Sequence, residues 1–291
     1  MLRAPFGRNI FSQMSTAQQI AVVHLARAAN GFEPFARFLD SYQKHPAGIE
    51  HELVVVFKGF SNDAQLAPYR QRLVGIAHRE IQITESGLDL DAYGFCVRQL
   101  VHEYFCFLNT FSVVQSDGWL AKLRAALSAG VGLVGATGSF ESMYSDLTAR
   151  QQKEVAQHLH TRARRAWKRF RKGLMFERFP NPHLRTNAFM ISGELMRRLW
   201  PRKIGRKRAA HALESGRQSI TRRVQKLGFK VLIVGRDGVG YEAERWPVSG
   251  IFWQAEQENL LVSDNQTLRY IEASAPDRVS LRWMAWHAET P

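Results

Sequence analysis

The chain has 291 residues, 45% hydrophobic and 11% aromatic, enough for one large α/β domain or two small ones with a full core. No apolar run approaches the roughly 20 residues of a membrane-spanning helix, and the first residues carry Arg3 and Arg8 without the apolar core of a signal peptide. A net charge of +14 predicts attraction to something anionic: nucleic acid, a phospholipid surface or a phosphorylated substrate.

After an N-terminal arm over residues 1–18, the segment 20–25 (IAVVHL) reads as a first strand. Residues 32–44 follow as a helix with Phe35, Phe38, Leu39 and Tyr42 at helical spacing. Residues 53–57 (LVVVF) are a second continuous apolar strand, 63–74 a second helix, and 80–84 a third strand with Ile81 and Ile83 alternating. A loop at Glu85-Ser86-Gly87 leads to a helix through Ala92, Phe95 and Leu100. Residues 104–108 are apolar without a break, as in a buried parallel strand. The polar stretch Asn109-Thr110-Phe111-Ser112 ends that strand. Asp117-Gly118-Trp119 opens a helix carrying Leu120, Leu123 and Leu127, and residues 131–134 form the next strand. Strands that are continuously apolar rather than alternating, separated by helices, predict an α/β fold with a mainly parallel sheet covered on both faces. Ligands bind such sheets outside the carboxyl ends of the strands, so the loop 109–117 is the first candidate site.

Beyond Gly138 the character changes. Residues 151–173 read as a long helix with Val155, Leu159, Ala163, Ala166, Trp167 and Phe170 on one face and a dense basic run over 162–172 on the rest. That run suits a solvated helix face, an anionic membrane surface or polyanionic acceptor, or nucleic acid. Residues 186–192 (TNAFMIS) are a short strand and 193–200 a short helix. A second basic cluster covers 202–208, Glu214 opens a helix over 214–227, and 229–234 is another strand. The remainder, 235–291, reads as irregular. Glu214 at a helix start has a structural explanation, stabilisation by the helix dipole, as well as a catalytic one.

Several chemistries find no support. There is no Walker A, HExxH or GxSxG motif. Gly135-Ala136-Thr137-Gly138 lacks the third glycine and the first-strand position of a dinucleotide fingerprint, and reads as a tight turn. Cys96 and Cys106 have no metal-binding spacing and read as buried, reduced thiols.

The order of motifs resembles the family-2, A-type-fold glycosyltransferases. The apolar strand ending FLNTFS is followed by Gly118-Trp119-Leu120 and a Val-Gly-Leu-Val-Gly strand. Ala188-Phe189-Met190-Ile191-Ser192 comes later, and RRVQKLGFKV from Arg222 to Val231 resembles a further segment of the family. The stretch 85–93 (ESGLDLDAY) is similar to a loop of bacterial polysaccharide-associated transferases. The resemblance implies a Rossmann-like sheet with a basic helical insertion: a nucleotide-sugar-binding half over 19–140 and an acceptor-binding half over 141–291 of one domain. It implies a cytoplasmic hexosyltransferase of bacterial surface polysaccharide or glycolipid synthesis, peripheral on the inner face of the plasma membrane, moving a sugar from a nucleotide-diphosphate donor to a glycan or lipid-linked acceptor, with inversion.

The same resemblance implies donor contacts at Arg27, Asn30, Lys58, Glu85, Asp89, Asp91, Asn109 and Ser112. It implies a catalytic base at Glu214 or Asp117, and acceptor or phosphate contacts at Arg217, Trp119 and Asn187. The family's acidic DxD-type triplet is replaced by Asn109-Thr110-Phe111. The Mg2+ or Mn2+ ion that the resemblance implies prefers carboxylates; in the triplet it finds only the uncharged side-chain carbonyl of Asn109, which puts metal dependence in question. Bases such as Arg27, Lys58 and Arg217 then stand ready to neutralise the diphosphate. The family's Glu-Asp pair would fall at Gly216-Arg217, and Glu214 is the nearest carboxylate. The missing carboxylates also suit an inactive scaffold or sugar-binding relative, and the charge a nucleic-acid-binding α/β protein.

Overall fold

A computed structural model of the chain describes residues 19–84, 87–145 and 159–287. The N-terminal arm, Glu85 and the start of the expected basic helix lie outside the described residues. The central sheet has eight strands in the order β11-β10-β6-β9-β4-β1-β2-β3, and two short pairs lie beside it, β5 (Val113–Val114) with β12 (Val262–Ser263) and β7 (Gly138–Ser139) with β8 (His183–Leu184). Its first half comprises β1 (Ile20–Arg27), β2 (Glu52–Lys58), β3 (His78–Ile83) and β4 (Tyr104–Leu108), all parallel. Its second half comprises β6 (Val131–Gly135), β9 (Ala188–Ser192), β10 (Lys230–Val234) and β11 (Gly240–Tyr241). The expected α/β architecture is what the chain adopts, with helices on both faces.

Alternation along β1 sorts the core. Ile20, Val22 and Ala26 face one layer, with α1 (Glu33–Lys44), α2 (Asp63–Leu73) and α4 (Trp119–Ala126). Ala21, Val23 and Leu25 face the other, with α3 (Asp89–Gln99). His24 lies on the first face, fully buried, its ring stacked on Phe38 at 3.6 Å.

Three parts depart from the sequence reading. The strand at β9 runs antiparallel between β4 and β6. It enters the sheet from the carboxyl edge because the preceding residues 183–187 cross that edge. The helix expected over 214–227 is two helices, α7 (Lys207–Ser215) and α8 (Ile220–Lys226), so Glu214 ends a helix rather than opening one. The break is steric and capped. A Cβ on Gly216 would meet Ala212 O at 2.5 Å and Met175 O at 2.9 Å, and Ser219 caps α8 by accepting from Arg222 N. The expected irregular tail contains β12 (Val262–Ser263), α9 (Asn265–Glu272) and α10 (Ala275–Trp286). Trp246, Trp253 and Trp286 from this region are buried in the core layer of α3. The helix over the basic run is α5 (Leu159–Met175), and α6 is Gly193–Leu199.

Candidate active site

Chain direction locates the crevice. From β1 the chain steps to β2 and β3 on one side, and β4 then pairs on β1's other side. The carboxyl ends of β1 and β4 therefore flank a topological switch point, where open α/β sheets hold ligands. β1 ends at Arg27 and β4 delivers Asn109.

On the β1 side, three of the expected donor residues meet. Lys58 closes β2 with 1% of its surface exposed. Its Nζ donates to Gly87 O (2.9 Å) and to Asp89 Oδ1 (3.1 Å). Arg27 Nε lies 3.9 Å from the same carboxylate oxygen. Asn30 follows in the short 3-10 turn after β1. Asp91, one turn into α3, is committed elsewhere: its carboxylate accepts from the amides of Leu88 (2.8 Å), Ile204 (2.6 Å) and Gly205 (3.2 Å). Burial alone would raise its pKa; those amides outweigh burial and hold it below the usual value. A groove of about 610 Å³ opens beside the cluster, lined by Gln82, Thr84, Gly87, Asp91, Arg98 and Arg202 among others.

On the β4 side, Asn109 shapes a turn. Its Oδ1 accepts from Phe111 N (3.0 Å) and Ser112 Oγ (3.1 Å), an Asx-type turn. Ser112 is fully buried, and its single hydroxyl hydrogen is shared between Asn109 Oδ1 and Asn187 O (3.0 Å), so the hydroxyl is spent on this seam rather than turned to a donor. Asn109 N donates to Asn187 O (2.8 Å), which ties the end of β4 to the start of β9. Asn187 Oδ1 accepts from Thr137 Oγ1 (2.6 Å). Two buried polar atoms at the seam, Asn187 Nδ2 and Thr110 Oγ1, have no hydrogen-bond partner among the described residues.

Glu214 reaches the same edge. Thr186, next to Asn187, donates from N (3.1 Å) and Oγ1 (2.8 Å), both to Glu214 Oε1. That fixes the half-buried carboxylate. Tyr93, on α3, is fully buried, and burial above all, with the charge of Asp89 next, raises its pKa well above 10. His183 is kept neutral by burial, against the opposing pull of its bond to Asn181 O and of Glu214 and Glu141.

Three expected site residues lie elsewhere. Asp117 is at the opposite edge: His45, which ends α1, pairs with it at 2.7 Å, and Gly118 N donates to Pro46 O. The loop after β4 thus descends past α1, where Val114 N donates to Ser41 Oγ, before α4 begins. Trp119 is fully buried beside His51, at that same amino-terminal edge. Arg217 is exposed and binds Gly173 O (3.0 Å) and Glu177 Oε1 (2.7 Å), away from the seam.

Sequence reading missed Arg185 and Asp264. Arg185 Nη2 donates to Asp264 Oδ2 at 2.9 Å, with 13% and 1% of the two side chains exposed. The guanidinium lies 4.3 Å over the Phe252 ring, and Arg185 N donates to Thr137 O. Asp264 also caps α9, accepting from Gln266 N and Thr267 N. The capping pattern Asp-Asn-Gln-Thr was a visible signal for that helix start. The pairing with Arg185 had none.

The residues at the turn do not fit a divalent ion. The triplet 109–111 has no carboxylate, Asn109 Oδ1 already accepts two hydrogen bonds, and Asp89, Glu214 and Asp264 are each engaged by different partners. Among the described residues no cluster of three His, Cys, Asp or Glu side chains could hold a metal.

No family model matches the sequence, and no curated protein does. Solved structures do resemble the chain. A mannosyltransferase from Pyrobaculum calidifontis, in complex with GDP-Man and Mn2+, gives a TM-score of 0.46 at 16% identity, over 77% of this chain and 56% of its own. Residues 1–349 of TarS from S. aureus give 0.41 at 12% identity, over 66% and 52%. A 4-diphosphocytidyl-2C-methyl-D-erythritol synthase from Anaerococcus prevotii gives 0.42 at 10% identity, over 75% and 89%. The chain spans about half the length of the first two. The fold assignment stands on the chain's own sheet order and register.

Proposed function

We propose that the protein is a glycosyltransferase that moves a hexosyl group, with inversion, from a nucleotide-diphosphate sugar to the hydroxyl of a glycan or lipid-linked acceptor in bacterial surface polysaccharide or glycolipid synthesis. One observation carries the reading. A cationic pair, Arg27 and Lys58, and a fixed carboxylate, Glu214, stand on the same carboxyl edge, either side of the β1–β4 switch point.

The nucleotide lies over the ends of β1 to β3, in the groove beside Gln82, Thr84 and Gly87, with Asn30 in the turn that follows β1. Arg27 and Lys58 oppose the charge that develops on the leaving diphosphate. Glu214 takes the proton of the attacking acceptor hydroxyl, and Thr186 holds its Oε1 so that Oε2 faces the acceptor. The reaction takes place at the cytoplasmic side of the cell.

The test is a thermal-shift screen over nucleotide sugars with and without Mn2+, followed by detection of released nucleoside diphosphate with acceptor present. A cognate donor at about 100 times its Kd stabilises the fold by about 2.7 kcal/mol. No stabilisation by any nucleotide sugar sinks the proposal. A second reading, a donor-binding protein without turnover, is favoured by the carboxylate-free triplet at 109–111. It predicts stabilisation without any diphosphate release.

A further inference from the structure

Helix α5 carries an apolar stripe that no apolar side chain covers among the described residues. Trp167, Phe170 and Leu174 are spaced three and four apart, share one helix face and are 59%, 65% and 62% exposed. Such a stripe on a helix of a folded protein normally faces the core. Its neighbours are cations. Arg169 and Arg171 are exposed, and the Arg171 guanidinium lies 4.5 Å over the Trp167 ring. Lys172 Nζ fastens the helix by donating to Met143 O at 3.1 Å. A groove of about 480 Å³ runs alongside, lined by Met143, Trp167, Arg171, Lys207, Arg208 and His211 among others, with no carboxylate in its lining among the described residues.

Charge and polarity together narrow the occupant. A second copy would bring two cationic faces into contact, in a chain already at +14. Nucleic acid would use the cations but leave Leu174 and much of the stripe in water. An anionic bilayer takes both parts: apolar side chains at the acyl boundary, a tryptophan at headgroup level, and Arg and Lys against lipid phosphates.

We propose that α5 docks the protein on an anionic lipid surface, inserting Trp167, Phe170 and Leu174 and setting Arg169, Arg171, Lys207 and Arg208 against the headgroups. The docking surface is joined directly to the site. α7 begins at Lys207 and Arg208 on this surface and ends beside Glu214, about 10 Å further along the helix. If the transfer reading holds, a docked chain therefore presents its base to an acceptor carried by a lipid.

Flotation of the full chain with phosphatidylcholine vesicles, with and without phosphatidylglycerol, tests the docking with no donor or acceptor present. Failure here leaves the transfer reading intact, and that reading is tested separately by diphosphate release with a water-soluble acceptor. Vesicles containing phosphatidylglycerol should retain the protein, and high salt should release it. Replacing Trp167, Phe170 and Leu174 together by Ser should lower partitioning at least about tenfold with an unchanged melting temperature, because the removed side chains are exposed. Arg169→Glu with Arg171→Glu should abolish the preference for anionic lipid. The proposal is overturned by equal retention on both vesicle types, by full retention of the Ser variant, by stripe-dependent dimers in light scattering, or by duplex DNA competing the protein off the vesicles through an unaltered stripe.

Discussion

Lys58 Nζ and Asp89 Oδ1 stand 3.1 Å apart at the end of β2, the lysine almost wholly buried and the carboxylate 41% exposed. A buried ammonium needs partners on every side, and Asp89 with Gly87 O supplies them. The pair therefore shapes the loop between β3 and α3 as well as placing positive charge at the switch point. Lys58→Met leaves Gly87 O without its donor and Asp89 with Arg27 alone. The stability loss should be about 1–3 kcal/mol, at the lower end because Asp89 is partly screened by water. Donor affinity should fall at least about tenfold, since the proposed transfer sets this cation against the diphosphate. Urea unfolding and a donor titration followed by thermal shift read the two effects. Unchanged affinity would detach Lys58 from the donor.

Glu214 separates chemistry from structure cleanly. Glutamine keeps an oxygen for Thr186 N and Oγ1, so Glu214→Gln should stay within about 1 kcal/mol of the parent in stability and retain nucleotide binding. It cannot accept a proton, and turnover should drop by about 10²-fold or more. Thr186→Val should lower turnover by a smaller factor, by freeing the carboxylate. A parental rate in Glu214→Gln would remove the residue from the mechanism.

Much of this fold was visible in the residues, and the failures have physical causes. Continuous apolar runs marked β1, β2, β4 and β6 because a parallel strand is covered on both faces, and helical spacing marked α1 and α4. The direction of β9 was not visible, since period and hydrophobicity are the same for parallel and antiparallel strands. The split between α7 and α8 was hidden because Gly216 is excluded from carrying a Cβ by Ala212 O and Met175 O, a contact set by folding. At the site, Arg27, Lys58 and Asn109 were legible as the polar residues that end or follow apolar strands, and Asp89 as an acidic residue where the loop leads into α3. Asp117 misled because the loop from Asn109 crosses from one sheet edge to the other, and its length in sequence does not reveal that path. Trp119 misled because its motif suggested an acceptor contact while its bulk fills the core.

The bend at Gly216 holds Glu214 at the edge, and a single methyl tests it. Gly216→Ala places a carbon 2.5 Å from Ala212 O and 2.9 Å from Met175 O, both backbone atoms that cannot swing aside. The helices should part, with a stability loss of about 1–3 kcal/mol and a fall in turnover exceeding the fall in donor affinity. A crystal structure of the variant should show Thr186 no longer bonded to Glu214. Parental stability and rate would mean the bend tolerates the methyl.

His24 predicts an acid limb to the stability curve. Both ring nitrogens are buried without partners among the described residues, and burial pulls the pKa from 6.5 down to about 3. The unfolded chain then binds a proton between about pH 6.5 and 3 that the folded chain refuses. Stability is full above pH 6.5 and falls as pH drops through that window, by up to about 1.4 kcal/mol per pH unit for this one group. Burial lowers His183 and His102 as well, so their contributions share the sign. His24→Leu keeps an apolar group against Phe38 and removes one proton from the balance. Urea unfolding from pH 7.5 to 4.5 should show a shallower slope for the variant by about one proton; parallel curves would contradict the buried neutral ring.

Asn109→Asp asks whether the turn can be returned to metal chemistry. A carboxylate oxygen accepts from Phe111 N and Ser112 Oγ as the amide oxygen does, so the Asx turn should survive with a stability change under about 1 kcal/mol. The second oxygen is then a charged ligand at the carboxyl end of β4, beside the cations of the donor cluster. The parent, with an amide oxygen already accepting two bonds, should show little added stabilisation when Mn2+ accompanies a nucleotide sugar. The variant should show a clear Mn2+-dependent increase, because a hard divalent ion gains a carboxylate and bridges it to the diphosphate. Without the ion, the new negative charge repels the diphosphate, and donor affinity should fall below the parent's. Thermal shift with donor, with and without Mn2+, on both proteins gives the four readings. A parent that responds to Mn2+ as strongly as the variant would show that other oxygens at this edge bind the ion, and that Arg27 and Lys58 do not neutralise the diphosphate alone.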